Sequence, residues 1–380
     1  MAEKAKTAEE IAKEKRQKEL AKELQATKER LRYSKRQIAS VVDLNKCIGC
    51  QTCSIACKTL WTDDEGRDYM WWNTVNTQPG SGTPKDWEKM GGGYKVRFEG
   101  KVREPIKGKL PTRDEFGEAW KFNYEEVHKG SSQTTYLKPI GKEPEWGMNW
   151  DEDQGGGVFP NAFYFYLPRI CNHCTYPTCL DACPRNAIYK RQEDGIVVVD
   201  EKRCKGYRFC IEACPYKKIY FNRKDVLGQK CIFCYPRIEK GVAPACARQC
   251  PARVRWVGWL DDVQGPVHKL VKKWKVALPL HPEYGTEPNV FYVPPLAPPR
   301  LDTTGKIDIL KPRIPLRYLE YLFGPEAGKA LTTLKAEMAK RRNGQPSELT
   351  EILIAKDWKG MFKPFDKDPL SLTWTRGKKG

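Results

Sequence analysis

Fifteen cysteines fall into four clumps, and thiolates at this density bind metal. The first clump is Cys47, Cys50, Cys53 and Cys57; the second is Cys171, Cys174, Cys179 and Cys183. The third is Cys204, Cys210 and Cys214, with Tyr207 at the second slot, and the fourth is Cys231, Cys234, Cys246 and Cys250. Prolines follow Cys183, Cys214 and Cys250. Closely spaced thiolates ending on Cys-Pro are how a chain wraps iron–sulfur clusters.

Two other uses of cysteine fit less well. The cysteine count is odd, and pairs two residues apart close almost no loop, so disulfides would contribute little. Structural zinc takes four ligands, usually from two separated C-x2-C pairs. The first clump instead puts three ligands on one tight loop with a fourth just beyond, which suits an iron–sulfur cube.

In a two-cluster ferredoxin, three cysteines of one motif bind one cluster and the fourth reaches across to its partner. The second and third clumps are near in sequence and pair naturally. One cluster then takes Cys171, Cys174, Cys179 and Cys214, and the other takes Cys204, slot 207, Cys210 and Cys183. The first and fourth clumps pair by elimination. They give one cluster on Cys47, Cys50, Cys53 and Cys250, and another on Cys57, Cys231, Cys234 and Cys246. A neutral phenol is a poor iron ligand, so slot 207 predicts a [3Fe–4S] cluster on Cys183, Cys204 and Cys210. The rival is a full cube with the Tyr207 oxygen or water on the odd iron. The expected cofactors are three [4Fe–4S] clusters and one [3Fe–4S] cluster.

The net charge of +19 invites a nucleic-acid partner, but no nucleic-acid-binding module is recognisable. Each oxidised cluster carries about −2, so four offset about 8 of those charges. Basic residues crowd the clumps: Lys46, Lys58, Arg203, Lys205, Arg208, Lys230, Arg248 and Arg253. They either raise cluster potentials or are ordinary surface charge. Mean hydropathy is −0.67, and no run approaches the ~18 apolar residues that span a membrane. No phosphate-cradling loop, dinucleotide fingerprint or nucleophile motif occurs, so no catalytic residue is assigned.

The elements that must hold these loops read as α+β: two bacterial-type two-cluster ferredoxin modules, a long insertion and extended terminal arms. Residues 1–36 form a charged helical arm with a thin apolar stripe at Ile11, Leu20, Leu24 and Leu31. It is either a solvated arm or a docking element. Residues 37–60 hold the first motif behind a strand at Ala39–Asp43. The insertion spans 61–160, with Trp71, Trp72, Gly91–Gly93 and a polar run from Asn149 to Gln154. The remaining cluster core spans 161–265, with strands expected at Ala162–Leu167, Ile196–Asp200 and Ile219–Phe221. His173 is expected to pack beside a cluster as a donor, since four thiolates already serve the iron. Residues 266–380 form a partner-wrapping arm with an extended stretch at Pro294–Pro299. A helical stretch follows at Leu316–Arg342, broken at Gly324-Pro325.

The run Asp43-Leu44-Asn45-Lys46-Cys47-Ile48-Gly49-Cys50-Gln51-Thr52-Cys53 is distinctive. So are Cys171-Asn172-His173-Cys174, Gly241-Val242-Ala243-Pro244-Ala245-Cys246, Ala277–Glu283 and Pro288–Pro295. Over about residues 37–300 the chain resembles the iron–sulfur β subunits of type II dimethyl sulfoxide reductase family enzymes. That group includes nitrate reductase, nitrite oxidoreductase, the perchlorate, chlorate and selenate reductases, and ethylbenzene and dimethyl sulfide dehydrogenases. The resemblance implies an α subunit carrying a molybdenum bis-pyranopterin, and a heme-bearing γ subunit or cytochrome. It implies that the cluster on Cys47, Cys50, Cys53 and Cys250 faces α, and that the three-iron cluster faces the heme. Nitrate reductase has tryptophan where this chain has Tyr207, a mild departure. The wording at 43–62 and 277–295 is similar to the clade acting outside the cytoplasm, whose β subunit is exported folded with α. The alternative location is the cytoplasmic face of the membrane. Within the clade, nitrite oxidoreductase or nitrate reductase is the leading expectation. A formate dehydrogenase or hydrogenase subunit would offer sixteen cysteines, and a free polyferredoxin would need neither the insertion nor the arm.

Overall fold

The computed structural model describes residues 8–97, 102–118, 123–129, 136, 138–141, 147, 154–356 and 361–362. The Asn149–Asp153 part of the polar run lies outside the described residues, as do 357–360 and 363–380 of the C-terminal arm.

Every residue of the strand Ile38–Asp43 is buried, the polar Ser40 and Asp43 included. It lies inside a four-stranded sheet. On one side it runs antiparallel to Arg255–Trp259, with Ile38 opposite Trp259 and Val42 opposite Arg255. On the other it runs parallel to Val290–Val293, which Leu278–Pro279 then borders. The strand entering the first clump is therefore hydrogen-bonded to the strand leaving the fourth, across more than half of the chain. Two short hairpins, Ile188–Lys190 with Val197–Val199 and Ile219–Asn222 with Leu227–Lys230, follow the second and third clumps. The structure is α+β.

Short helices carry the cysteines inward. Thr52–Trp61, bearing Cys53 and Cys57, packs on Ala245–Arg248, bearing Cys246. Thr178–Asp181, bearing Cys179, packs on Phe209–Ala213, bearing Cys210. The first strand inside 61–160, Thr74–Gln78, pairs antiparallel with Phe165–Arg169. That ladder moves the strand expected at Ala162–Leu167 three residues later at its start. Trp71 and Trp72 are buried core residues. The C-terminal segment forms helices Leu316–Phe323 and Ala327–Arg342, parted where Gly324 takes φ 81°. A further helix, Glu348–Ile354, follows.

The N-terminal helix runs Ala8–Arg32. Two residues of its apolar stripe stay in water: Leu20 is 65% exposed and Leu24 50%. The anchors are Leu31, which packs against the core, and two cations. Lys28 donates to the carbonyls of Leu180 and Cys183, and Arg32 pairs with Asp181. No helix among the described residues is long and apolar enough to cross a membrane.

Candidate iron–sulfur sites

Sharp turns aim the thiols. Gly49 and Gly206 take φ of +68° and +66°, and the residues two further on, Gln51 and Arg208, take φ of 56° and 65°. Each pair of left-handed residues folds the chain tightly before a helix begins at Thr52 or Phe209. A side chain at Gly49 would meet the Tyr166 ring at 2.6 Å, and one at Gly206 the Val226 carbonyl at 2.5 Å. Only glycine fits there.

The folded chain gathers the cysteines across clumps. Cys57 lines one largely apolar cavity together with Cys231, Cys234 and Cys246. Cys214 lines a second with Cys171, Cys174 and Cys179. Burial, then the neighbouring thiols Cys53 and Cys250, push Cys47 up to about 12. Burial, then Cys183, Cys204 and Cys214, push Cys210 up to about 12. Cys50 and Tyr207 lie at the surface. Among the described residues no group of side chains closes on one point as a single-ion site; the thiols stand around cavities.

The groups also touch in sequence. Cys57 is raised by burial, by Cys231, Cys246 and Cys234, and then by Cys53. Cys231 is raised by burial and then by Cys171, and Cys210 feels Cys214. The thiols of the first and fourth clumps thus neighbour those of the second and third.

Donors point at the sulfurs. Asn73 Nδ2 donates to Cys53 Sγ at 3.0 Å and Trp61 Nε1 to Cys234 Sγ at 3.1 Å. Backbone N–H groups of Ala187, Gly228 and Phe233 donate to Cys183, Cys204 and Cys231 at 3.3, 3.4 and 3.3 Å. Such bonds favour the thiolate and the more reduced cluster.

Other buried donors have no acceptor among the described residues: Trp72 Nε1, His173 Nε2, and Arg255 Nε and Nη1. Trp72 and His173 line the two cavities, and Arg255 stands beside Cys53. Burial, then the cations Lys230 and Lys190, hold His173 well below its usual pKa, so it is neutral. Its Nδ1 accepts from Val197 N–H at 3.1 Å, which leaves the proton on Nε2. Unpaired donors in thiol-ringed cavities are costly unless an anionic acceptor fills the space. Iron–sulfur clusters, with their sulfides and net negative charge, fit that requirement.

The crowding cations flagged in the sequence do mixed work. Lys58 Nζ reaches the carbonyls of Thr62, Arg67, Asp68 and Met70, and burial lowers it to about 8. Lys46 donates to the Arg253 and Leu353 carbonyls, and Lys230 to the Val197 and Cys231 carbonyls. Arg203 pairs with Asp200 at the surface. Sequence reasoning missed four fully buried cations: Arg169, Lys217, Lys218 and Arg255. The signal for Arg255 was a charge within the otherwise apolar strand Arg255–Trp259.

These sites define an iron–sulfur electron-transfer protein. A 4Fe-4S dicluster domain profile matches residues 162–260. The chain is 57% identical over 325 residues to the respiratory nitrate reductase subunit beta of Haloferax mediterranei, covering 83% of this chain and 90% of that one. It is 57% identical to the selenate reductase subunit beta of Thauera selenatis, covering 84% and 97%. It is 36% identical to the respiratory nitrate reductase 1 beta chain of Escherichia coli, covering 80% of each. The chain belongs to the iron–sulfur β subunits of the type II dimethyl sulfoxide reductase family of molybdoenzymes.

Proposed function

We propose that the chain is the wire of a molybdenum oxidoreductase complex. It passes electrons between a molybdenum bis-pyranopterin α subunit and a heme-bearing γ subunit or cytochrome. Two ferredoxin-like modules would hold three [4Fe–4S] clusters and one [3Fe–4S] cluster. The single observation carrying this reading is the thiol gathering: two cavities are each lined by four cysteines drawn from two clumps. The two remaining clusters would sit where Cys47 neighbours Cys53 and Cys250, and where Cys210 neighbours Cys183 and Cys204.

Bound there, the clusters supply one-electron redox chemistry. The protein's own part is to exclude water, fix the order of the sites and bias their charge. Cys53 and Cys57 share one helix, so the first two sites are set by one rigid element. Trp61 and Trp72 close the cavity of Cys57, Cys231, Cys234 and Cys246 with apolar rings while presenting N–H groups. Tyr207, at the open slot of the last site, is 58% exposed and offers only a phenol. That supports a three-iron form.

The proposed complex works on nitrite and nitrate, and the chain is exported folded with its α subunit. The likeness to the Haloferax mediterranei nitrate reductase subunit supports the substrate. The equal identity to the selenate reductase subunit means that the β sequence follows the wire more closely than the substrate. Purification of the native complex tests all of this. The expected result is a large molybdenum subunit bound to this chain, nitrite-dependent cytochrome reduction, and a three-iron EPR signal when oxidised. Recovery of the chain as a free monomer would sink the reading. Recovery with selenate or chlorate activity alone would redirect the substrate, and recovery from the cytoplasmic fraction would redirect the location.

A further inference from the structure

Each junction between neighbouring thiol groups holds a buried cation, and the three cations come from three different parts of the chain. Arg255, 1% exposed, stands between the first two groups. Its Nη2 lies 3.8 Å from Cys53 Sγ and 2.7 Å from Asn73 Oδ1, and its charge faces Cys246 and Cys250 as well. Lys218, also 1% exposed, stands between the second and third. It lines the cavity of Cys171, Cys174, Cys179 and Cys214, faces Cys231 and Cys57, and donates to Thr74 Oγ1 at 2.8 Å.

The third cation comes from outside the cysteine core. Lys28 is on the last turns of the helix Ala8–Arg32 and is 6% exposed. Its Nζ donates to the carbonyls of Leu180 and Cys183 at 2.7 Å each. Those carbonyls lie between Cys179 of the third group and Cys183 of the fourth, and both thiols face the ammonium. Arg32, paired with Asp181 at 2.5 Å, fixes the same turn, and the Tyr94 hydroxyl bonds to the same carboxylate. Two neutral carbonyls offset only part of the cost of burying an ammonium; anionic neighbours offset the rest. A positive charge between two clusters stabilises the reduced form of each, so it raises both potentials without strongly tilting transfer in either direction.

We propose that the N-terminal helix is a potential-setting element. It seats Lys28 between the third and fourth clusters, as Arg255 and Lys218 seat a cation at the other two junctions, and so raises the reduction potential of the cluster on Cys183, Cys204 and Cys210. The inference rests on the four-cluster reading above. Lys28 is a positioning residue: it acts on charge and touches no substrate.

The test is potentiometric EPR on the complex carrying the full chain. Lys28→Gln keeps a donor for the carbonyls and removes the charge. Its reduced-to-oxidised ratio for the three-iron signal should fall about tenfold at a fixed poise, the order expected of one partly buried unit charge nearby. Lys28→Met, neutral and suited to a buried site, should shift it alike. Lys28→Arg should hold the original midpoint, and signals of the first cluster should stay put in all three variants. An unmoved midpoint in the neutral variants overturns the proposal. So does an equal shift in Lys28→Arg, or loss of the cluster from both neutral variants, either of which would assign Lys28 to folding. Absence of a three-iron signal from the unmodified complex would instead refute the cluster reading beneath it.

Discussion

Tyr207 occupies the same place in its loop that Cys50 occupies in the first. Each follows a glycine with φ near +67°, each precedes a left-handed residue, and each is followed at once by a helix carrying the next cysteine. Backbone geometry therefore presents a side chain at slot 207 as it presents a thiol at 50. What differs is the chemistry at the tip.

Tyr207→Cys should convert the last site from three irons to four. The expected readout is loss of the oxidised three-iron EPR signal and a gain of one iron atom per chain. The potential should fall, since a fourth thiolate adds negative charge. A variant that keeps its three-iron signal undiminished would mean that something besides the missing ligand limits the site.

Asn73 joins two functions in one buried amide. Its Nδ2 donates to Cys53 Sγ at 3.0 Å and Ser54 Oγ at 3.1 Å, and its Oδ1 accepts from Arg255 at 2.7 Å. Asn73→Ala should lower stability by about 1–3 kcal/mol by leaving a buried guanidinium short of a partner. It should also lower the potential of the first cluster. Paired thermal unfolding and potentiometry check this; a stable variant with an unchanged potential would contradict it.

Gly206→Ala tests the turn itself. The new methyl would meet the Val226 carbonyl at 2.5 Å at a φ of +66°. The strain should cost at least ~1 kcal/mol and loosen Cys204 and Cys210, which flank the turn. Occupancy of the three-iron site, measured by EPR spin counting, should fall while the other clusters stay loaded.

His281 ties the insertion to the C-terminal helices. Fully buried, it bonds Glu283 through Nδ1 at 2.7 Å and Glu88 through Nε2 at 3.1 Å, and its backbone N–H bonds the Leu322 carbonyl. Burial opposes the imidazolium, but the two carboxylates outweigh burial and raise its pKa above 6.5. A raised folded-state pKa gives stabilisation that is complete below the unfolded value and is lost as pH rises through the folded one. The Tm should therefore fall as pH climbs from about 6 into the alkaline range. His281→Gln should flatten that slope and cost about 1–3 kcal/mol at the acid end. A parallel pH series of the two proteins decides it; equal slopes would remove His281 from the account.

The cysteine spacings alone announced iron–sulfur chemistry, because ligand geometry constrains loops only a few residues long. The strand expected at Ala39–Asp43, which begins one residue earlier, and the helix break at Gly324 were legible for the same reason: each follows from local apolar pattern or backbone freedom. The docking of the N-terminal helix was not. The apolar pattern allowed either a solvated arm or a docked one; Leu20 and Leu24 of its stripe stay in water, Leu31 packs against the core, and Lys28 is buried beside it. A lysine is recognisable as buried only once carbonyls and thiols distant in sequence converge on it.

Arg255 and Lys218 make the same point from the core. In the sequence they are two cations among 67 lysines and arginines. In the fold they stand among thiols of different clumps: the pairing of Ile38–Asp43 with Arg255–Trp259 brings Arg255 to the first and fourth, and Lys218 faces Cys231, Cys57 and Cys214. Which residues could hold iron was readable from cysteine type and short spacing, since both are local properties of the chain. Which charges stand among the thiols emerges on folding, since it depends on contacts between segments more than 100 residues apart, such as Lys28 with Cys183 and Arg255 with Cys53.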